Sequence, residues 1–136
     1  MRKQLLVLGL IAVALFACRA APAPEQQLKD SFVQQIAASG IVRDFQRNGD
    51  EVVFAANYGK RPEAKWRVHI DAASIERDTD GTTPQKGLVK SSWYVDGEQI
   101  RPRGDQSDLP LAFLDKGIAQ ECWAFWDKGQ HEWSWK

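Results

Sequence analysis

The 136-residue chain has few of the residues that most often bind metals or act as nucleophiles: two histidines, two cysteines and one methionine. His69 and His131 are far apart in the sequence, and neither lies beside a spaced set of cysteines or carboxylates. The motifs G-x-S-x-G, G-x-x-x-x-G-K-[ST], H-E-x-x-H and G-x-G-x-x-G are absent. We therefore expect no metal, no cofactor and a non-catalytic domain.

The chain also lacks an excess of charge of either sign, because 18 Lys and Arg balance 18 Asp and Glu. A nucleic-acid-binding domain is expected to carry a basic surface, so we expect no nucleic-acid partner. Arg2 and Lys3 are the only charged residues before Cys18. Without them the chain has 16 basic and 18 acidic residues, a net charge of −2.

Long hydrophobic runs are absent too. The longest, Leu5 to Phe16, has 12 residues and is too short to span a bilayer comfortably. Two basic residues, Arg2 and Lys3, precede it. A short basic start followed by an apolar run of this length is typical of a secretory signal peptide.

The sequence "LFAC" at positions 15–18 resembles the lipobox of bacterial lipoproteins. Aliphatic Leu15 lies three positions before Cys18 and small Ala17 directly before it, while Phe16 departs from the usual small residue. The resemblance implies that Cys18 becomes the first mature residue and carries acyl chains that hold the protein on the membrane. Arg19, in place of Asp, implies sorting to the outer membrane, facing the periplasm.

This interpretation divides the chain into a signal peptide at 1–17, a lipidated cysteine and Pro/Ala tether at 18–25, and one globular domain at 26–136. Cleavage after Ala20 by an ordinary signal peptidase and an uncleaved anchor are the alternatives. Acylation of Cys18 would leave Cys122 as the only cysteine of the domain, which excludes a disulfide within it.

Two hydrophobic periods follow each other along the predicted domain. Residues 25–39 carry apolar side chains at helical spacing and predict a helix. From residue 41 the period changes to two, and tight turns at 48–50, 96–97 and 127–130 predict hairpins. Alternation is clearest at 64–71 and 88–95, whereas 76–87 predicts a polar loop and 109–117 a short helix.

One helix followed by about seven strands predicts an α+β fold, because a sheet with one apolar face needs a cover. We expect the N-terminal helix to pack on a curved antiparallel sheet of about six to seven strands, which resembles the cystatins in outline. A small β-barrel with a plug helix is the alternative.

Tryptophan is abundant, and four of the six lie in the last fourteen residues. Strand alternation places Trp123 and Phe125 on one face of their strand, and Trp133 and Trp135 together on a face of the next. On another predicted strand, Tyr94 and Trp93 are neighbours and point to opposite faces. Cross-strand aromatic packing explains such a pattern, and so does a partly exposed aromatic binding surface. The candidate binding residues are Trp123, Phe125, Trp133, Trp135 and Tyr94.

These observations predict an envelope lipoprotein whose domain binds a protein partner. It would serve as an inhibitor or immunity-type protein or as an accessory subunit of an envelope complex. Binding of a glycan or peptidoglycan fragment through the same aromatic residues is the first alternative. A small enzyme that uses Cys122 with His69 or His131 is the second. The sequence does not indicate an oligomeric state.

Overall fold

The computed structural model describes residues 23–81, 83–100 and 121–135. The predicted signal peptide, Cys18, most of the tether and the short helix at 109–117 lie outside the described residues. The elements are α1 (Pro24–Ala37), β1 (Arg43–Asn48), β2 (Glu51–Tyr58), β3 (Arg61–Arg77), β4 (Pro84–Val95), β5 (Glu98–Ile100), β6 (Glu121–Asp127) and β7 (Glu132–Trp135).

The seven strands form one antiparallel sheet in the order β1-β2-β3-β4-β6-β7, with β5 also paired to β4. The central strand β4 has β3 along one edge, and β6 and β5 share its other edge. The sheet curls around α1 as an open half-barrel. The predicted helix on a curved antiparallel sheet is therefore confirmed, and the described strands do not close into the alternative barrel.

The helix begins at Pro24, inside the predicted tether, and ends two residues before the predicted end at Ser39. Proline is tolerated there because the first helical residues have no intrahelical acceptor for their N–H groups. Trp135 Nε1 donates a hydrogen bond to Ser31 Oγ at 2.9 Å and ties the helix to the last strand. No helix among the described residues is long and apolar enough to cross a bilayer.

The core lies between the helix and the inner face of the sheet. The helix contributes Leu28, Phe32 and Ile36, at the predicted spacing. The buried residues of the two longest strands follow the predicted alternation: Ala64, Trp66, Val68 and Ile70 in β3, and Val89, Ser91, Trp93 and Val95 in β4. Two of the tryptophans are thus fully enclosed core residues.

The hairpin between β3 and β4 is longer than the sequence predicts. In place of a polar loop over 76–87, β3 continues to Arg77 and β4 begins at Pro84. A bulge at Asp71 lies between the pairs Ile70–Ser91 and Ala72–Lys90. Because a bulge adds one residue to one strand, the inward and outward positions exchange after Asp71. The alternation seen before Asp71 therefore does not predict that the strand continues.

Candidate functional site

The outer face of the sheet, opposite α1, carries three of the five candidate binding residues. The register of β4 and β6 places Leu88 opposite Trp123 and Lys86 opposite Phe125. We call these four half-buried residues the Trp123 patch. They point outward because the residues that alternate with them, such as Val89 and Ala124, are buried on the inner face.

Lys86 lies over the aromatic rings of this patch. Its Nζ is 3.9 Å from the centroid of the Trp123 ring and 5.9 Å from that of Phe125. A cation at this distance is attracted by the negative face of the ring. The neighbouring Lys90 instead pairs with Glu121 at 3.7 Å. The cation that lies against the Trp123 ring is therefore the Lys86 ammonium.

Tyr94 also faces outward but belongs to a different part of the surface. It lies six residues beyond Leu88 along β4, a separation of about 20 Å at about 3.3 Å per residue. The guanidinium carbon of Arg67 is 4.0 Å from its ring centroid, and Arg67 also pairs with Glu51 at 2.8 Å. The structure does not bring Tyr94 together with Trp123 and Phe125.

Trp133 and Trp135 point to the inner face of the sheet. Trp133 is buried, and its ring centroid is 5.3 Å from that of Trp126. Trp135 meets Phe32 of the helix at 5.7 Å. Both residues pack where β6 and β7 curl toward α1. The alternation in β7 shows that they share a face, but only the pairing of Ser134 with Phe125 shows which face it is.

A groove of about 450 Å³ crosses the outer face over β1, β2 and β3. Its lining includes Asp44 and Gln46 of β1, Val53 of β2, and Lys65 and Arg67 of β3. The sequence does not reveal this groove, because polar residues at alternating positions predict only a solvated strand face. Its walls carry both signs of charge, so it selects for neither an acid nor a base.

The outer face brings together His69, Asp71 and Ser92, which the sequence pattern did not connect. The bulged Asp71 accepts hydrogen bonds from Ser92 Oγ at 2.6 Å and from His69 Nδ1 at 2.9 Å. Burial works to raise the pKa of Asp71, but these hydrogen bonds and the attraction to His69 outweigh it and hold the pKa below 3.8. In a hydrolase triad the serine hydroxyl is hydrogen-bonded to the imidazole, which is in turn hydrogen-bonded to the carboxylate. Here Ser92 donates to the carboxylate of Asp71, so no such triad is formed.

Cys122 lies on the inner face, whereas His69 lies on the outer face. The thiol is buried, and this burial raises its pKa to about 12. His131 lies in the turn after the far end of β6, nine residues beyond Cys122. A cysteine nucleophile needs a base within hydrogen-bond reach and a thiolate at neutral pH. The raised pKa leaves Cys122 with little thiolate at neutral pH, and His69 lies on the opposite face of the sheet.

We expect Cys122 to resist thiol reagents in the folded protein. In a Cys18→Ser variant, where Cys122 is the only thiol, labelling by a chromogenic disulfide near pH 8 should be at least about a hundredfold slower than in urea, because burial suppresses the thiolate. The rate should keep rising with pH and should level off only as the pH approaches the raised pKa of about 12. Rapid labelling of the folded variant at neutral pH would contradict this and revive the Cys/His hypothesis.

Groups that could perform chemistry are sparse in the part of the chain that the structure describes. Those residues contain no group of three or more His, Cys, Asp or Glu side chains that could hold a metal ion. The chain matches no protein-family model, no curated protein and no solved structure.

Proposed function

We propose that this protein is an exported lipoprotein, anchored to the bacterial envelope through Cys18, whose α+β domain binds a protein partner without catalysing a reaction. The observation that carries the proposal is the Trp123 patch. Its aromatic and aliphatic side chains lie together on the face of the sheet that α1 does not cover. Binding of a partner would bury these side chains.

The composition of the patch is typical of the centre of a protein interface. Tryptophan is enriched among the residues that dominate binding energy, and such residues are ringed by polar side chains. Here Lys90 and Glu121 pair beside Leu88 and Trp123, and Glu76 lies across the sheet from Lys86. The aromatic and aliphatic side chains of the patch are therefore bordered by charged side chains.

The same geometry favours a protein over a glycan. A sugar binds an aromatic platform by laying its ring against an open aromatic face. Lys86 covers one face of the Trp123 ring, and Arg67 lies over the Tyr94 ring. A glycan would have to displace these cations, whereas a protein can supply groups that pair with them.

The anchor is supported by the sequence "LFAC" and by the position of the helix. Because α1 begins at Pro24, residues 18–23 are available as a tether. Six residues at about 3.1 Å each reach roughly 20 Å, enough to hold a small domain close to the lipid surface.

We expect a Cys18→Ser variant, produced in the native bacterium, to leave the membrane fraction and to lose incorporation of labelled fatty acid. The matched control is Cys122→Ser, which changes the other cysteine and should stay in the membrane fraction. A Cys18→Ser protein that still partitions with membranes would contradict the lipid anchor.

We expect a Trp123→Ala variant to capture its partner from envelope extracts at least about tenfold less well, since residues at interface centres contribute about 1.4 kcal/mol or more. Trp126→Ala is the matched control, because Trp126 is also half-buried but lies on the other face of the same strand. Thermal unfolding of both variants shows whether they are folded. Equal capture by the folded wild type and Trp123→Ala would contradict the proposed surface.

A further inference from the structure

The chemistry of Lys86 limits what kind of partner can cover the Trp123 patch. We infer that the docking segment of the partner is acidic and places a carboxylate on the Lys86 ammonium. This inference rests on the proposed function and adds to it the chemical class of the partner.

Two neighbouring cations in the described part of the chain already have acidic partners. Lys90 pairs with Glu121 at 3.7 Å, and Arg77 on the neighbouring strand pairs with Glu25 at 3.7 Å. Glu76 lies opposite Lys86 in the strand register, but none of the ion pairs among the described residues joins the two. Among the described residues Lys86 instead meets aromatic rings. No described acid neutralises its charge, so the ammonium can pair with an acid of a partner.

A partner that binds the Trp123 patch cannot avoid the charge of Lys86. Any surface that buries Trp123 and Phe125 must also cover the ammonium 3.9 Å above the Trp123 ring. An apolar partner would strip water from a charged group without replacing its hydrogen bonds, which is costly. A basic partner would add repulsion, whereas a carboxylate forms a charge-assisted hydrogen bond.

The aromatic rings also restrict the Lys86 side chain before such a partner binds. A flexible lysine loses side-chain entropy when it forms an ion pair, and contacts that restrict it beforehand reduce this loss. The Trp123 and Phe125 rings flank the Lys86 ammonium in this way. An apolar residue next to the acidic one would then cover Leu88. The recognised segment therefore combines carboxylates with apolar side chains.

The test identifies the occupant directly. The full-length protein is produced in its native bacterium with the photo-cross-linking residue p-benzoylphenylalanine in place of Leu88, and the cross-linked peptide is sequenced by mass spectrometry. We expect a peptide from another protein with Asp or Glu close to the attachment point. A synthetic copy of that peptide should bind at least about tenfold more tightly than a copy with Asn and Gln in place of the acids.

Variants of Lys86 supply the second arm, measured with the same synthetic peptide. Lys86→Glu should weaken binding at least about tenfold, Lys86→Met should lose part of the affinity, and Lys86→Arg should stay within about threefold of the wild type. Lys90→Glu, the matched control, changes a neighbouring lysine that is already paired and should weaken binding less than Lys86→Glu.

The outcomes separate the two proposals. A cross-link to another protein at a segment without acids, or binding that is indifferent to Lys86→Glu, would overturn the acidic partner and leave the protein-binding function standing. No cross-link to another protein, a cross-link to peptidoglycan, or one to residues 101–120 of the same chain would overturn both. An interface that requires Trp123 but ignores the charge at Lys86 would show that the lysine only covers the rings.

Discussion

Replacing Trp66 with alanine is expected to lower the free energy of unfolding by about 3–5 kcal/mol, the range for removing a large aromatic residue from a core. Trp66 is 1% exposed. Its ring stacks on Phe54 at 5.8 Å and meets Tyr58 and Trp93 edge-on at 5.5 and 6.2 Å. Neighbours on the two flanking strands, β2 and β4, would therefore line the cavity, and a curled sheet cannot close it without moving them.

The measurement is urea unfolding of Trp66→Ala beside Trp66→Phe. Phenylalanine keeps most of the ring volume but loses the hydrogen bond that Trp66 Nε1 donates to the Ala56 carbonyl at 3.1 Å. We expect this conservative variant to lose about 1–3 kcal/mol, the effect of a lost buried hydrogen bond. A small domain has only about 5–15 kcal/mol of stability, so Trp66→Ala should be partly unfolded under mild conditions. A loss below about 1 kcal/mol for Trp66→Ala would contradict its central place in the core.

Replacing Gly87 with valine is expected to destabilise the protein through overpacking against the helix. A Cβ atom at Gly87 would lie 2.7 Å from Cδ1 of Leu28, and Leu28 is fully buried and cannot swing into solvent. Overpacking costs about 1–3 kcal/mol. Replacing a strand glycine returns about 0.5–1 kcal/mol, because glycine loses more backbone entropy on folding. The net effect is therefore a loss of stability.

A double-mutant cycle distinguishes this clash from a general intolerance of the strand. Leu28→Ala alone should cost about 2–5 kcal/mol, but together with Gly87→Val the loss should be smaller than the sum, because the added methyl groups enter the space that leucine leaves. Gly40→Ala is the control, since a Cβ there would meet nothing within 4 Å. Additive losses in the cycle would show that Gly87 and Leu28 are not in steric competition.

Local pattern was sufficient for much of the architecture. The spacing of Leu28, Phe32 and Ile36 predicted both the helix and its buried side, since an α-helix repeats every 3.6 residues. The pairs Asn48–Gly49 and Asp96–Gly97 predicted tight turns, and Gly49, Asp96 and Gly97 do adopt positive φ angles. These features depend on neighbouring residues only, so the sequence displays them directly.

The local pattern failed to predict the structure where one extra residue shifted the alternation of inward and outward side chains. The bulge at Asp71 reverses the alternation of β3, so Ala73 and Ile75 point inward where a continued period of two would place them outward. The same bulge brings Asp71 to His69 and Ser92. Sequence periodicity cannot show a bulge, because the extra residue is defined by the partner strand.

The five candidate binding residues also show the difference between what local sequence predicts and what depends on tertiary structure. The sequence alone determined that Trp123 and Phe125 share a strand face, that Trp133 and Trp135 share another, and that the first eighteen residues resemble a lipoprotein signal, which stays a prediction. Only the tertiary structure decided that the first pair faces outward under Lys86 and that the second pair packs toward α1. Alternation follows from the pleat of one strand, whereas the side that meets the helix, and the cation that meets a ring, depend on pairing between residues far apart in the chain.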